Sequence, residues 1–259
     1  MNGWKSGSRI QLGNYRPIAL MSVVAKLYER IIADRLTKYL EEEQKIVEEQ
    51  GGFRVNRGCV DQIFILNEVI ESRRERGKKT YIAFMDFTKA YDLVWRDGLF
   101  QELHEAGVKG KAWRVVRDMY RKARSCVTVK GKPSDWWNIH QGVRQGSVLS
   151  PLLFSIAINP LIHELKKRRI GVRLGPIRGI SEPIHIPGLL FADDLVVMTE
   201  TEQELRDTLK FLDQWAKRRR FIFNPKKCGV LVTKDNIEPS KRDGGKWMLG
   251  NEEIPEVNT

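Results

Sequence analysis

Cysteine is scarce in this sequence. Cys59, Cys126 and Cys228 are odd in number, far apart, and show no paired Cys-x-x-Cys spacing. That argues against a disulfide framework and a cysteine zinc centre, and predicts a reducing, intracellular setting. The four histidines, His104, His140, His163 and His185, fall at no ligand spacing and receive no role. No run of about eighteen apolar residues occurs, so no membrane span is expected. The opening MNGWKSGSRIQ has no apolar stretch of signal-peptide type. Repeats and low-complexity tracts are absent. Negative charge is the scarcer sign: 33 acidic residues against 45 basic ones leave a net +12. Such a surplus favours a polyanionic partner, with nucleic acid first.

What is present suffices for one large domain or two modest ones: 259 residues, 41% of them hydrophobic. After a polar lead-in, apolar spacing predicts a helix over 18–40, closed by Glu41-Glu42-Glu43, and a second over 60–75, stopped by Gly77. Thr80 to Phe87 reads as a buried strand. Helices are expected near 95–106 and 111–121. Strands follow at 125–130 and 136–140, turned at Gly131-Lys132-Pro133. Residues 149–167 read as a long helix that Pro160 should kink or split. An apolar hairpin over 188–199, a helix over 202–219, a strand at 229–233 and a hairpin around Gly250-Asn251 complete the chain. Helices and strands mix without regular alternation. That predicts an α+β fold, an antiparallel sheet with helices packed on one face.

The most informative segment is GLLFADDLVVM, residues 188–198. Adjacent carboxylates inside an apolar β segment repel and lose hydration. A tight turn would relieve some of that cost, and a divalent cation more, since Mg²⁺ takes carboxylate oxygens. A second carboxylate, Asp86, ends the apolar strand in IAFMDFTKAYD. Two neighbouring strands that each deliver a carboxylate at one end can share a metal site. Two-metal catalysis needs such a cluster around ions about 4 Å apart. Asp92 lies beyond the strand and reads as structural, as a cap. Gly142-Val143-Arg144-Gln145-Gly146-Ser147 precedes the long helix. Its glycines permit close backbone approach to a ligand, and a plain N-cap at Ser147 or Ser150 is equally compatible.

Together these pieces resemble the reverse transcriptase family, in its non-LTR (LINE-like) branch. Asn14-Tyr15-Arg16-Pro17-Ile18-Ala19-Leu20 with Lys26 resembles the first fingers motif. Gln50-Gly51-Gly52-Phe53-Arg54 with Asp61-Gln62-Ile63 resembles the second. MDFTKAYD is similar to motif A, RQGSVLSPLLF to motif B and FADD to motif C, where retroviral enzymes usually carry Met or Val in place of Ala192. Asn224-Pro225-Lys226-Lys227-Cys228 resembles motif D. Cys59-Val60 depart from the small hydroxyl residue common in relatives.

The resemblance implies a right-hand polymerase. Fingers would occupy 1–79. A palm would occupy 80–259, with further fingers inserted at about 108–145, and would end at the start of a primer-grip hairpin, with the thumb absent. It implies that Asp86, Asp193 and Asp194, helped by the Phe87 carbonyl, bind two Mg²⁺ ions, for which Mn²⁺ substitutes. Tyr91 would be the steric gate against a ribose 2′-OH. Gln145, with Gly146 beside it, would line the sugar pocket. Arg16 and Lys26 would grip the triphosphate. Lys227, or its neighbour Lys226, would supply the motif D proton. The implied partners are an RNA template with a DNA primer and dNTPs, in nucleus and cytoplasm if eukaryotic. A binding-only remnant and a group II intron maturase-like enzyme are the alternatives. Basic clusters at 73–79, 109–124, 166–173 and 217–227 suit phosphate tracks. Trp113 and Tyr120, at helical spacing, are expected in the core.

Overall fold

The computed structural model describes residues 8, 18–129, 131–175, 183–233 and 245–257. The polar lead-in and Arg16 lie outside them. Along the chain come α1 (Val23–Glu42), α2 (Cys59–Arg74), β1 (Tyr81–Met85), α3 (Ala90–Leu93), α4 (Arg96–Glu105) and α5 (Gly110–Arg121). Four two-residue strands follow: β2 (Arg124–Ser125), β3 (Thr128–Val129), β4 (Lys132–Pro133) and β5 (Trp137–Asn138). Then come α6 (Ser150–Lys167), β6 (Val172–Leu174), β7 (Ile184–Ile186), β8 (Gly188–Phe191), β9 (Asp194–Thr199), α7 (Glu202–Arg219), β10 (Gly229–Val232), β11 (Trp247–Leu249) and β12 (Glu252–Ile254). The arrangement is α+β. Contacts divide the chain into two compact units, Met1–Lys45 with Tyr91–Ala157, and Ile46–Ala90 with Ile158–Thr259.

The second unit is built on a four-stranded antiparallel sheet in the order β10-β1-β9-β8. Period-two alternation gathers Ile82 of β1, Met198 of β9 and Leu189 of β8 into one cluster with Val69 of α2 and Val172 and Leu174 of β6. Removing each large apolar side chain of this kind from water contributes about 2 kcal/mol. Helix α7 packs against β1 and β9. Its start is a capping box. The Thr201 hydroxyl accepts from the Glu204 amide at 3.2 Å, and the Glu204 carboxylate accepts from the Thr201 amide at 3.1 Å. Leu205, Leu209, Leu212 and Trp215 form its buried stripe.

In the first unit, α1 buries Glu29, Ala33, Leu36 and Leu40, one residue per turn along one face. Phe100 of α4 meets Trp113 and Tyr120 of α5 edge-on or tilted, and Tyr120 is 2% exposed. Tyr120 is a core residue. Trp113 is half-buried, with its indole N–H donating to the Phe100 carbonyl. The β2–β5 and β3–β4 pairs make one narrow ribbon with its turn at Gly131.

Several expectations needed correction. Helix α1 opens at Val23, not Ile18, because the Ser22 hydroxyl caps it by accepting from the Ala25 amide. Pro160 does not split α6, which runs through it. Buried apolar side chains from Leu152 to Ile158, and again at Leu161, Ile162 and Leu165, hold the helix on both sides of the missing amide. Helix α2 turns apolar Val60, Ile63 and Phe64 outward and buries Gln62 and Arg73. Arg73, read as part of a phosphate track, is spoken for inside the fold. It donates to Thr80 Oγ1 and the Lys79 carbonyl and pairs with Glu200. The hairpin β6–β7 was not anticipated.

Candidate active site

The site of interest lies in the second unit, at one end of the β1–β9–β8 sheet. Strand β1 pairs antiparallel with β9 up to Met85↔Leu195. That register ends one residue before Asp86, which is close enough for its charge to raise the Asp194 carboxyl. Strands β8 and β9 close at Phe191↔Asp194, so Ala192 and Asp193 form the connecting turn. Ala192 has φ 58°, in the left-handed region that non-glycine residues seldom adopt.

Asp86 is anchored on its other side by the 222–228 segment. Its amide donates to Cys228 Sγ at 3.4 Å, and its carbonyl accepts from the Asn224 amide at 2.8 Å. Phe87 bridges Phe223 by backbone pairing, and its ring stacks on Phe223 at 4.4 Å and leans on Phe221 at 5.4 Å. A single 3-10 turn, Pro225–Lys227, then brings Lys227 Nζ to 3.5 Å from Asp86 Oδ1.

The electrostatics follow from this geometry. The Asp194 carboxyl is held above the ordinary aspartate range. Partial desolvation is the main cause, followed by the negative charges of Asp193 and then Asp86, with Lys227 opposing them. One ammonium does not neutralise three carboxylates. The Cys228 thiol beneath is pushed up by burial. Hard carboxylate oxygens suit a divalent cation such as Mg²⁺, and excess negative charge at the strand ends supplies the attraction. Among the described residues, no three acidic, histidine or cysteine side chains already converge on one metal position. The carboxylate donor types gathered here are those such an ion prefers.

Lys26, Tyr91, Gln145 and Gly146 belong to the first unit. Tyr91 stacks face to face on Phe154, with centroids 5.0 Å apart and planes 6° from parallel. Its carbonyl accepts from the Val143 amide at 2.8 Å. Gln145 Nε2 donates to Asp92 Oδ1 at 3.2 Å. Asp92 is therefore a side-chain anchor of the loop before α6, rather than a helix cap. Gly146 has φ 104°, and a Cβ there would lie 2.9 Å from the Ala19 carbonyl oxygen. Ser147 caps α6, its hydroxyl accepting from the Leu149 and Ser150 amides. Lys26 is exposed on α1.

Two buried polar residues organise these loops: Glu29, which the sequence reading passed over, and Gln50, which it quoted within the second fingers motif without assigning it a role. Glu29, 1% exposed, accepts from Ser147 Oγ at 2.6 Å and the Val148 amide at 3.0 Å, and pairs with Arg144 at 3.6 Å. Gln50 is wholly buried and bonds the backbone of Ala192. The only available signal was their place in otherwise apolar or glycine-rich stretches.

With this geometry described, comparison with known proteins is decisive. The family described as "Reverse transcriptase (RNA-dependent DNA polymerase)" matches residues 5–246. The chain belongs to the reverse transcriptase family. It is 27% identical over 250 residues to the Pol polyprotein of the type-1 retrotransposable element R2 of Nasonia vitripennis. That alignment covers 94% of this chain and 23% of the relative. It is 29% identical over 230 residues to the probable RNA-directed DNA polymerase from transposon BS of Drosophila melanogaster, covering 85% and 24%. The chain spans about a quarter of the length of these relatives. Among solved structures, telomerase from Candida tropicalis bound to a fragment of telomeric RNA superposes with a TM-score of 0.59. The identity is 14%, over 83% of this chain and 34% of telomerase. That likeness is one of fold.

Proposed function

We propose that this domain is the polymerase core of an RNA-directed DNA polymerase, adding dNTPs to a primer 3′-OH annealed to an RNA template. The observation that carries the reading is that the β8–β9 turn delivers Asp193 and Asp194 next to the strand end after which Asp86 follows, where burial, then the Asp193 and Asp86 charges, raise the Asp194 carboxyl. Asp86, Asp193 and Asp194, with the Phe87 carbonyl, would hold two Mg²⁺ ions. When bound, these supply charge neutralisation for the attacking and leaving oxygens of an in-line phosphoryl transfer.

The chain's own groups do the rest. Lys227 pairs with Asp86 and keeps an ammonium beside the carboxylates, from where it would pass a proton to the pyrophosphate oxygen; Lys226 is exposed next to it. Tyr91, braced by Phe154, would exclude a ribose 2′-OH by occupying its volume. Gln145, steadied by Asp92, and Gly146 would border the sugar. Arg16 and Lys26 would contact the triphosphate. Exposed cations at 109–124, 166–169 and 217–227 would follow the template and primer phosphates, in the reducing interior of a cell.

The deciding assay is primer extension on a primed RNA template, with and without Mg²⁺, for the wild type and Asp193→Asn. Incorporation that requires Mg²⁺ and vanishes in Asp193→Asn is expected. Synthesis retained by Asp193→Asn rejects the site; salt-sensitive duplex binding without synthesis, unchanged by the substitution, indicates a binding-only remnant.

A further inference from the structure

The second fingers motif contacts the carboxylate turn directly. Residues 49–51 lie alongside β8 as a short parallel addition. The Leu190 amide donates to the Glu49 carbonyl at 2.9 Å, and the Gly51 amide donates to the Leu190 carbonyl at 2.8 Å. From there the Gln50 side chain reaches Ala192. Its Oε1 accepts from the Ala192 amide at 3.0 Å and from the Gly52 amide at 2.8 Å. Its Nε2 donates to the Ala192 carbonyl at 3.2 Å. One fully buried amide thereby satisfies both backbone polar groups of the single left-handed alanine that aims Asp193 and Asp194.

The rest of the motif keeps that amide in place. Gly52 passes so close that a Cβ would sit 2.2 Å from the Ala192 nitrogen. Arg54 lashes the loop together, its Nη1 donating to the Val47 carbonyl at 3.1 Å and the Gln50 carbonyl at 3.4 Å. A left-handed alanine is held only when its surroundings over-determine it. Gln50 is the group that does so here.

We propose that Gln50 is a positioning residue for the Asp193–Asp194 turn, fixing the backbone from which the metal-binding carboxylates project. The proposal rests on the metal reading above. Hydrogen exchange of the Ala192 amide and Mn²⁺ binding followed by electron paramagnetic resonance test it, alongside thermal unfolding. In the wild type, the Ala192 and Gly52 amides share one acceptor and are both protected. Gln50→Met keeps the volume and removes the pairing. It should speed Ala192 exchange by about tenfold and weaken Mn²⁺ binding several-fold, the scale of one buried hydrogen bond. Gln50→Glu keeps the acceptor and should keep the Ala192 amide protected.

A wild-type Ala192 amide that exchanges as fast as exposed amides overturns the proposal without any variant. So does a Gln50→Met chain with wild-type exchange and Mn²⁺ affinity, when Asp193→Asn abolishes that binding. Mn²⁺ binding that is absent from the wild type, or indifferent to Asp193→Asn, overturns the metal reading, and the positioning role with it.

Discussion

Lys227 Nζ stands 3.5 Å from Asp86 Oδ1, joining motif D to motif A across 141 positions of sequence. The pair is largely open to solvent on the lysine side, so it adds under about 1 kcal/mol to stability. Its effect is electrostatic, since Lys227 also holds the Asp194 carboxyl down against its anionic neighbours. Lys227→Gln should leave the unfolding midpoint nearly unchanged. It should shift the acid limb of Mn²⁺ binding to higher pH, because Asp194 then ionises later. A pH titration of Mn²⁺ affinity in both proteins reads this directly.

The raised Asp194 value has a definite sign for stability. A carboxyl whose folded pKa exceeds its ordinary value near 3.8 favours the fold fully below that value, and this contribution is lost as pH rises through the folded pKa. At neutral pH the ionised group opposes folding. Asp194→Asn should therefore make the metal-free chain more stable at pH 7, with no gain at pH 3. Added Mg²⁺ should stabilise the wild type and leave the variant unmoved. Calorimetry at the two pH values checks both statements.

Glu29 gives a contrasting case. Its buried carboxylate has three polar partners, all at the loop preceding α6. Glu29→Ala removes the acceptor of the Ser147 hydroxyl proton and of the Val148 amide and strips Arg144 of its anion. A loss of about 3 kcal/mol is expected, read as a lower denaturant midpoint. Glu42→Ala, at an exposed ion pair on the same helix, should change it by under about 1 kcal/mol.

Tyr91→Ala should lower the dNTP-to-NTP preference by on the order of tenfold or more. The measurement is incorporation of each nucleotide on one primed template. Unchanged selectivity counts against the gate.

Much of this was legible from residue patterns. Helix α7 announces itself with Thr201-x-x-Glu204 and an apolar stripe, and the β8–β9 hairpin with two aspartates amid apolar residues. Strand β1 shows as a short apolar run. These signals are local, and so is the physics behind them. The buried roles of Gln50 and Glu29 were not legible, because their partners lie 142 and 118 positions away. Only the folded chain reveals that a polar side chain replaces an apolar one in order to satisfy a distant backbone. Helix α2 misled for a related reason. Its first turns point Val60, Ile63 and Phe64 outward and bury Gln62, while Ile65, Leu66, Val69 and Ile70 meet the core, so its apolar residues lie on both sides and their spacing marks a helix without marking its core side. The β6–β7 hairpin carries three-residue strands, too short for period-two alternation to register.

Cys228 offers a gauge of this arrangement. Its sulfur sits under the Asp86 amide, 2% exposed, and burial keeps the thiol protonated, whereas Cys59 is exposed. An alkylating reagent should modify Cys59 quickly and reach Cys228 only when the strand carrying Asp86 parts from the segment behind it. The slow phase of labelling would then time the opening of the floor beneath Asp86, with no nucleotide, template or engineered probe required.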